Sequence, residues 1–246
     1  MTGPPRLYTA LAPWFPLITP PDEYREEAAI YAALLDEAAA QPIDTLLELG
    51  SGGGHNASHL KQRYRMTLTD LSPAMLDLSR RLNPDCEHIE GDMRVLRLGR
   101  DFDAVFVHDA LDYLTTAEDL RAAIETVGVH CRPGGVALLV PDYVKERFGP
   151  RTDFGGSDGD GRAARFLEWD WDPDPDDDTY VVDFAYLLRE GERVRIEHDR
   201  HVCGVFPRDV WLGLLEGAGF RAEARVIHHS DEDVSREAFL AVKTAS

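Results

Sequence analysis

The nine residues Leu46–Gly54, LLELGSGGG, decide the fold of this 246-residue chain. The apolar run Ile43–Leu49 is typical of a buried parallel strand, which is covered on both faces. The strand then enters four glycines within five residues, which permit a tight turn and close approach of a ligand to the backbone. The following residues, His55–Tyr64, predict a helix whose first N–H groups point back at that ligand. Strand, glycine turn and helix together predict a nucleotide-type cofactor site.

The spacing of the glycines selects among cofactors. The dinucleotide fingerprint G-x-G-x-x-G would need a third glycine where this chain has His55, and the Gly-Lys-Ser/Thr of a P-loop is absent. The residues instead fit an acidic-x-G-x-G-x-G pattern made by Glu48, Gly50, Gly52 and Gly54. Taken alone, this pattern leaves open a glycine turn in any α/β protein.

Composition limits the class of protein. A hydrophobic content of 43% is enough for a packed core, and the length permits one large domain or one domain with an insertion. No apolar run approaches the roughly 18 residues of a membrane span, and the N-terminus lacks the apolar segment of a secretory signal. The widely spaced Cys86, Cys131 and Cys203 predict free thiols in a cytoplasmic protein and no metal site.

The formal net charge of -19 bears on partners. An acidic surface repels phosphate backbones, so we expect neither nucleic acid nor a membrane as a partner. Solubility accounts for the charge most simply, and attraction of cationic or amine-bearing small molecules stays open.

From residue 42 onward the chain alternates strands and helices, as expected for a doubly wound, mostly parallel sheet. A helix opens at Ser72-Pro73, a second covers Ala117–His130, and Arg132–Gly135 predicts a turn. The last two strands predict an antiparallel pair at the sheet edge. The predicted strands are Ile43–Leu49, Arg65–Thr69, Cys86–Glu90, Phe102–His108, Val136–Val140, Phe220–Ile227 and Ala238–Val242.

Residues 142–178 interrupt this alternation. The glycine-rich stretch Gly155–Gly161 predicts a flexible segment, and the acidic residues up to Asp178 predict a solvated loop. The segments Thr179–Arg189 and Arg193–Phe206 then predict two long strands joined as a hairpin. That hairpin either covers the active site or forms a dimer contact, so a homodimer is possible. We therefore divide the chain into an N-terminal arm and helix (1–41), a cofactor-binding α/β domain (42–141 and 207–246) and an inserted β cap on the substrate side (142–206).

Two further positions suit a nucleoside. Asp70 ends the second strand, where a carboxylate can accept both ribose hydroxyls; a carboxylate at a helix N-terminus is the alternative. Gly91–Met93 follows the third strand and can offer a carboxylate and an N–H group to an adenine edge. The proline-rich arm, with aromatic Tyr8, predicts packing on the core or on the cofactor pocket.

In order and spacing, these motifs resemble class I S-adenosylmethionine-dependent methyltransferases. The resemblance covers residues 42–141 strongly and 207–243 loosely. The hairpin after strand five resembles the small-molecule branch that includes sugar N-methyltransferases. The resemblance implies a seven-stranded Rossmann-like sheet with an inserted antiparallel β cap after strand five. The motifs that carry it are Glu48–Gly54, Thr69–Leu76, Gly91–Met93, Phe102–Phe106 and Arg132–Gly135.

The resemblance also implies S-adenosyl-L-methionine as the cofactor and places residues around it. Glycines of the loop approach the methionine portion, Asp70 binds the ribose, and Asp92 with Met93 flanks the adenine. His108 falls where the family often places a residue near the methionine portion and the acceptor. The sequence His108-Asp109-Ala110 departs from the signature of base-modifying amino-methyltransferases, which argues against DNA adenine and protein glutamine as acceptors. The expected cofactor-binding residues are Tyr8, Glu48, Gly50, Ser51, Gly52, Asp70, Leu71, Asp92, Met93 and His108.

Methyl transfer needs alignment of acceptor, methyl group and sulfur, together with exclusion of water. An amine acceptor must arrive neutral, and a hydroxyl acceptor benefits from a base, so we predict catalytic roles for His108, Tyr113 and His201. The predicted function is methylation of a small-molecule amine or hydroxyl. A nicotinamide-dependent oxidoreductase is the enzymatic alternative, although the chain lacks a Tyr-x-x-x-Lys pair, and a non-catalytic cofactor-binding protein is the other.

Overall fold

The computed structural model describes residues 5–230 and 235–244. Residues 1–4 of the predicted arm, and residues 231–234, 245 and 246 of the predicted α/β domain, lie outside the described part. The described strands are β1 Thr45–Leu49, β2 Arg65–Asp70, β3 Glu87–Glu90, β4 Phe102–His108, β5 Cys131–Val140, β6 Arg151–Gly155, β7 Asp158–Gly159, β8 Arg162–Trp171, β9 Thr179–Glu190, β10 Arg193–Gly204, β11 Phe220–Ile227 and β12 Arg236–Lys243. The helices are α1 Phe15–Ile18, α2 Arg25–Ala38, α3 His55–Leu60, α4 Pro73–Leu82, α5 Ala117–His130 and α6 Arg208–Gly217.

Seven strands form the larger sheet in the order β11-β12-β5-β4-β1-β2-β3. Strands β1 to β5 pair in parallel, whereas β12 is antiparallel to both β5 and β11. This arrangement confirms the predicted mostly parallel sheet with an antiparallel edge pair. The carboxyl ends of β1, β2, β4 and β5 share one edge, which is where open α/β sheets bind ligands.

Alternating side chains of the central strands build two core layers. Leu47, Val105 and Leu139 face α5 and α6, while Leu46 and Phe106 face the opposite layer, which contains α2 and α3. All five side chains are fully buried. Because these strands are covered on both faces, their apolar runs identified them in the sequence.

Helix starts follow the expected capping chemistry. Ser72 caps α4 by accepting a hydrogen bond from the N–H of Met75 at 3.3 Å, with Pro73 in the first turn. Thr116 caps α5 in the same way, through the N–H of Asp119. Both helices match their predicted positions.

The predicted turn Arg132–Gly135 is instead a bulged part of β5. Between the pairs Phe102–Cys131 and Ala104–Val136, one residue of β4 faces four residues of β5. Gly134 takes a φ of +74°, which favours glycine, and the guanidinium of Arg132 donates to Asp103 at 2.6 Å. The sequence prediction was wrong because a β-bulge uses the same residue types as a turn.

Most of residues 151–171 form the strands β6, β7 and β8, so the prediction of a solvated loop was wrong there. The second sheet has the order β10-β9-β8-β6, with β7 paired to β8, and places β8 in its interior. The sequence analysis missed β8 because each of its faces carries both polar and apolar side chains. Arg165 and Trp169 are exposed, whereas Glu168 and Asp170 lie on the inner face. A strand without apolar alternation gives no period-two signal.

The predicted hairpin is present as β9 and β10, and a tight turn at Gly191 joins them. Strand β9 pairs with β8 along its other edge, which supplies the third strand that an isolated hairpin lacks.

The N-terminal arm packs on the inner face of the second sheet. Leu7, Leu11, Trp14 and Ile18 of the arm form a buried cluster with β8 and β9 side chains that include Tyr186. The backbone N–H of Ser157 donates to the carbonyl of Leu17 at 2.7 Å. The arm contains only single helical turns, in keeping with its proline content. Within the described residues, no helix is both long and apolar enough to cross a membrane.

Candidate active site

The glycine loop after β1 depends on backbone conformations that favour glycine. Gly50, Gly52 and Gly54 have φ values of +71°, +52° and +74°. A Cβ atom on Gly50 would overlap the side chains of Ala110 and Met93. At Gly52 the nearest atom to a Cβ would be a methyl carbon at 3.7 Å, so the loop is more open there. The loop is therefore closely packed at Gly50 and accessible at Gly52.

Asp70 connects the glycine loop to the end of β2. Its two carboxylate oxygens accept hydrogen bonds from the N–H groups of Gly52, at 2.8 Å, and Ser72, at 2.7 Å. Burial raises the pKa of Asp70, and these N–H groups oppose that shift. Each carboxylate oxygen keeps acceptor capacity for a further donor. Next to it, the side chain of Leu71 is 66% exposed, which leaves an apolar surface at the mouth of the loop.

Asp92 and Met93, the two residues predicted to flank the adenine, have different surroundings in the structure. Met93 packs next to Gly50 and the core. Asp92 instead forms an ion pair with Arg94 at 2.6 Å, and Arg94 forms a second ion pair with Asp119 at 2.9 Å. The hydrogen bonds from Arg94 lower the pKa of Asp92. Met93 thus lies at the glycine loop, whereas the carboxylate of Asp92 already has a cationic partner.

Several buried polar atoms around the loop fit a polar ligand. Glu48 Oε2, Ser51 Oγ and His55 Nδ1 have no hydrogen-bond partner among the described residues. Burial, with smaller contributions from Asp70 and Glu27, raises the pKa of Glu48 to about 8. Because buried polar groups normally find partners, these atoms point to a ligand with its own donors and acceptors. The ammonium and carboxylate groups of S-adenosylmethionine have that character.

His108 lies in a different polar network, beneath α2. Its Nε2 atom is 3.3 Å from Glu27 Oε1 and 3.1 Å from Asp109 Oδ1. Glu27 also accepts a hydrogen bond from Asn56 at 2.8 Å. The side chain of Tyr31 packs against the His108 ring. The sequence analysis missed Glu27 and Asn56, because the pattern of α2 alone does not show what its polar face meets.

Two predicted catalytic residues and one predicted cofactor residue form a hydrogen-bonded chain. The hydroxyls of Tyr8 and Tyr113 are 2.8 Å apart, and Tyr113 lies 2.8 Å from His201 Nδ1. His201 Nε2 is 3.1 Å from Asp199 Oδ2, which also accepts the N–H of Leu7 at 2.8 Å. The sequence analysis missed Asp199. We call this Tyr8–Tyr113–His201–Asp199 series the relay.

The hydrogen-bond partners of Asp199 and His201 define which atoms of the relay donate and which accept. Burial of Asp199 would raise its pKa, but the hydrogen bonds from His201 and Leu7 outweigh burial and lower it. Asp199 is therefore a carboxylate that accepts from the Nε2–H of His201, which leaves Nδ1 to accept the Tyr113 hydroxyl. Tyr8 can then donate to Tyr113. A proton received at Tyr8 could pass through Tyr113 to His201.

The arm connects the relay to the cofactor loop. Ser72, next to Asp70, donates its hydroxyl to the carbonyl of Tyr8 at 2.6 Å. Phe15 of the arm stacks on His55 with ring centroids 4.9 Å apart. Tyr8 therefore lies between the end of β2 and the second sheet.

Carboxylates also gather at the ends of β4 and β5. Asp109, Asp112 and Asp142 have oxygen atoms within 4.8 Å of one another. The guanidinium of Arg236 is 2.9 Å from Asp142 and 3.4 Å from Asp109, so the cluster receives positive charge from within the chain. Asp109 has a φ of +49°, an uncommon conformation for a residue other than glycine.

We predict a pH-dependent gain in stability for Glu48→Gln in the absence of ligand. Because the pKa of Glu48 in the folded protein, about 8, exceeds the roughly 4.3 of an unfolded chain, the free energy of unfolding falls as pH rises through this interval. The variant has no ionisable group at this position and avoids that loss of stability. The difference between its melting temperature and that of wild type should therefore increase from about pH 5 to about pH 9. Thermal unfolding measures this, with Glu125→Gln on the exposed face of α5 as the control. A constant difference at all pH values would contradict the assignment.

The chain is similar to known methyltransferases. Residues 46–135 match the family model described as a methyltransferase domain. A dTDP-3-amino-3,6-dideoxy-alpha-D-glucopyranose N,N-dimethyltransferase of Streptomyces fradiae is 32% identical over 184 residues, covering 74% of this chain and 66% of the relative. The alignment thus spans slightly less than two thirds of that relative's length.

Solved structures extend the similarity to nearly the whole chain. DesVI of Streptomyces venezuelae gives a TM-score of 0.81 at 26% identity, covering 96% of this chain and 98% of DesVI. CalS10, an amino pentose methyltransferase of Micromonospora echinaspora solved with S-adenosylmethionine bound, gives 0.75 at 26% identity, covering 90% and 92%. Motif order, domain match and fold together identify a methyltransferase domain of the class I S-adenosylmethionine-dependent kind in this chain, which is similar to sugar N-methyltransferases.

Proposed function

We propose that this protein is a methyltransferase that transfers the methyl group of S-adenosylmethionine to an amine of a small sugar. The relay carries this proposal, because it brings an ordered acid–base chain next to the cofactor loop. The names of the relatives favour an amino sugar over a simple hydroxyl acceptor. The three free thiols are compatible with the expected cytoplasmic location, which stays part of the proposal.

The proposed cofactor contacts follow from the loop. Gly50, Ser51 and Gly52 receive the methionine portion, and Asp70 accepts the ribose hydroxyls. The cofactor supplies an activated methyl group and its leaving group. We retain Glu48, His108 and Tyr8 as contacts to its polar end, and Leu71, Met93 and Asp92 as the adenine side, where Asp92 would contribute alongside its ion pair with Arg94.

The relay has a role that an amine acceptor requires. A protonated amine has no lone pair to attack the methyl group, so it must lose a proton before or during transfer. Tyr8 accepts that proton as its own passes to Tyr113, and the Tyr113 proton passes to His201. Asp199 stabilises the resulting imidazolium. His108, in the separate network with Glu27, is proposed to orient the methionine end.

The segments of the chain also have separate proposed roles. We propose that residues 42–141 and 207–246 hold the cofactor. Residues 142–206 form the acceptor side, and residues 1–41 connect the two. The packing of the arm against both the glycine loop and the second sheet supports this division. Such a closed arrangement would also exclude water from the reacting groups.

For the cofactor, we expect Asp70→Ala to lower affinity for S-adenosylhomocysteine at least about tenfold, because it removes a charged acceptor for two hydroxyl donors. Titration calorimetry measures this, with Asp77→Ala on the exposed face of α4 as the control. The wild-type protein should not bind NAD. Tight NAD binding without any response to S-adenosylhomocysteine would favour the oxidoreductase alternative. Cofactor binding without turnover of any amine would favour a non-catalytic role.

For the relay, we expect Tyr113→Phe and His201→Asn each to lower kcat about 100-fold near neutral pH, the usual scale of acid–base catalysis. Affinity for S-adenosylhomocysteine should stay unchanged. The deficit should shrink as pH rises, because more of the amine then arrives without its proton. His198→Asn, on the opposite face of β10, is the matched control. A deficit independent of pH would indicate positioning of the acceptor instead of proton removal.

We further infer that the outer face of the second sheet binds a second copy of the chain. Phe154 and Leu167 are neighbours across β6 and β8, and Leu187 and Ile196 are neighbours across β9 and β10. Their exposed fractions are 78%, 50%, 45% and 74%, which is unusual for so many large apolar side chains on one face. On the same face, Arg165 pairs with Asp158 and Arg200 pairs with Asp183, so both signs of charge are present, which suits a self-complementary contact.

We expect Ile196→Asp to convert a dimer into a monomer, because it buries a charge at the centre of such an interface. Light scattering after size-exclusion chromatography measures the mass. Val129→Asp, at an exposed apolar position on α5, is the control and should leave the mass unchanged. A wild-type protein that is monomeric over a wide concentration range would refute this contact.

A further inference from the structure

The inner face of the second sheet has a polar region that the relay does not use. Side chains alternate along β8, so Glu168 and Asp170 share the inner face. Their partners across β6 are Asp153 and Arg151. Asp170 is only 4% exposed, and one of its oxygens accepts a hydrogen bond from Tyr143 at 2.6 Å. A pair of carboxylates is thus held on a surface that faces into the protein.

This region continues to the carboxyl end of the larger sheet. Tyr143 follows Asp142, whose backbone N–H donates to Asp112. Burial, together with the charge of Asp142, raises the pKa of Glu168 and of Asp170. A continuous acidic wall therefore runs from the ends of β4 and β5 to the inner face of β8. We use the term acidic wall for Asp109, Asp112, Asp142, Asp153, Glu168 and Asp170.

Among the described residues, two arginines beside the acidic wall pair with its carboxylates. Arg151 pairs with Asp153 at 3.2 Å, and Arg236 pairs with Asp142 at 2.9 Å. Burial and the neighbouring carboxylates raise the pKa of Glu168 to about 9. A cation bound beside Glu168 and Asp170 would favour the ionised form of both carboxyls.

A second observation points to a ligand at the same place. Tyr186 of β9 is fully buried, and its hydroxyl has no hydrogen-bond partner among the described residues. Its ring stacks on that of Phe184 with centroids 5.3 Å apart, and Phe184 lies opposite Glu168 across β8 and β9 and 4.8 Å from the His201 ring. Tyr186 therefore lies on the inner face, near both the acidic wall and the relay. A buried hydroxyl in this position can donate to, or accept from, an acceptor molecule.

We propose that Glu168, Asp170 and Tyr186 form an acceptor subsite that binds the protonated amine of an amino sugar. This inference rests on the proposed function only in taking the inner face as the acceptor side. The two carboxylates bind the ammonium group, and Tyr186 contacts a neighbouring hydroxyl or the amine itself. The amine is thereby held close to Tyr8, where the relay begins. The subsite selects amines over amides and alcohols, because a neutral group leaves the buried carboxylates without a counter-charge.

The test compares two sugars that differ at one group. D-glucosamine carries an ammonium group, whereas N-acetyl-D-glucosamine carries a neutral amide at the same carbon. Binding of each to the full-length protein is measured by titration, with and without S-adenosylhomocysteine. We expect wild type to bind glucosamine at least about tenfold more tightly than its acetylated form. Glu168→Gln and Asp170→Asn should remove most of that preference.

The controls separate charge at the subsite from net charge and from folding. Asp160→Asn removes one charge in an exposed turn and should leave the preference intact. Tyr186→Phe removes only a hydroxyl and should weaken glucosamine binding even if the carboxylate variants fold poorly. Equal binding of the two sugars by wild type, no binding of either, or a preference that survives these variants would each overturn the subsite. Affinity for S-adenosylhomocysteine is scored separately, so a failure of the cofactor proposal is distinguishable from a failure of the subsite.

Discussion

The carboxylate of Asp70 and the two N–H groups that it accepts are the contact on which the site depends. One oxygen binds the N–H of Gly52 in the loop after β1, and the other binds the N–H of Ser72 after β2. These bonds fix two strand ends relative to each other at the edge where a nucleoside would lie. Ser72 then binds the carbonyl of Tyr8, so the same turn also positions the N-terminal arm. Glycine loop, arm and relay therefore share one anchor.

The arm makes the two sheets act as one structure. Its apolar side chains fill the inner face of the second sheet, and Phe15 reaches the glycine loop. Asp199 of β10 accepts the N–H of Leu7, which links the arm to the far end of the relay. An arm rich in proline suits this task, because it loses little conformational entropy when it is ordered.

Buried carboxylates with raised pKa values concentrate at the ends of the central strands and on the facing cap. Burial raises the pKa of Glu48 to about 8, of Asp142 to about 7 and of Glu168 to about 9. Charged groups are costly to bury, and stability alone would favour apolar residues at these positions. Their concentration where a cationic cofactor and an amine acceptor would meet indicates that binding has shaped this region at the expense of stability.

The sequence by itself determined the larger sheet and its cofactor edge. Buried parallel strands such as β4 contain apolar runs, and the positive φ of Gly50 favours glycine. Both features can therefore be recognised in the amino-acid sequence. The sequence also predicted the β9–β10 hairpin, whereas only the tertiary structure decided the strands that extend it into a second sheet, and the relay. Strand β8 carries polar residues on both faces, and the partners Tyr113 and His201 lie 88 positions apart in the chain. Long-range pairing of polar groups leaves no periodic trace, because it depends on how separate elements pack and not on the residues next to each group.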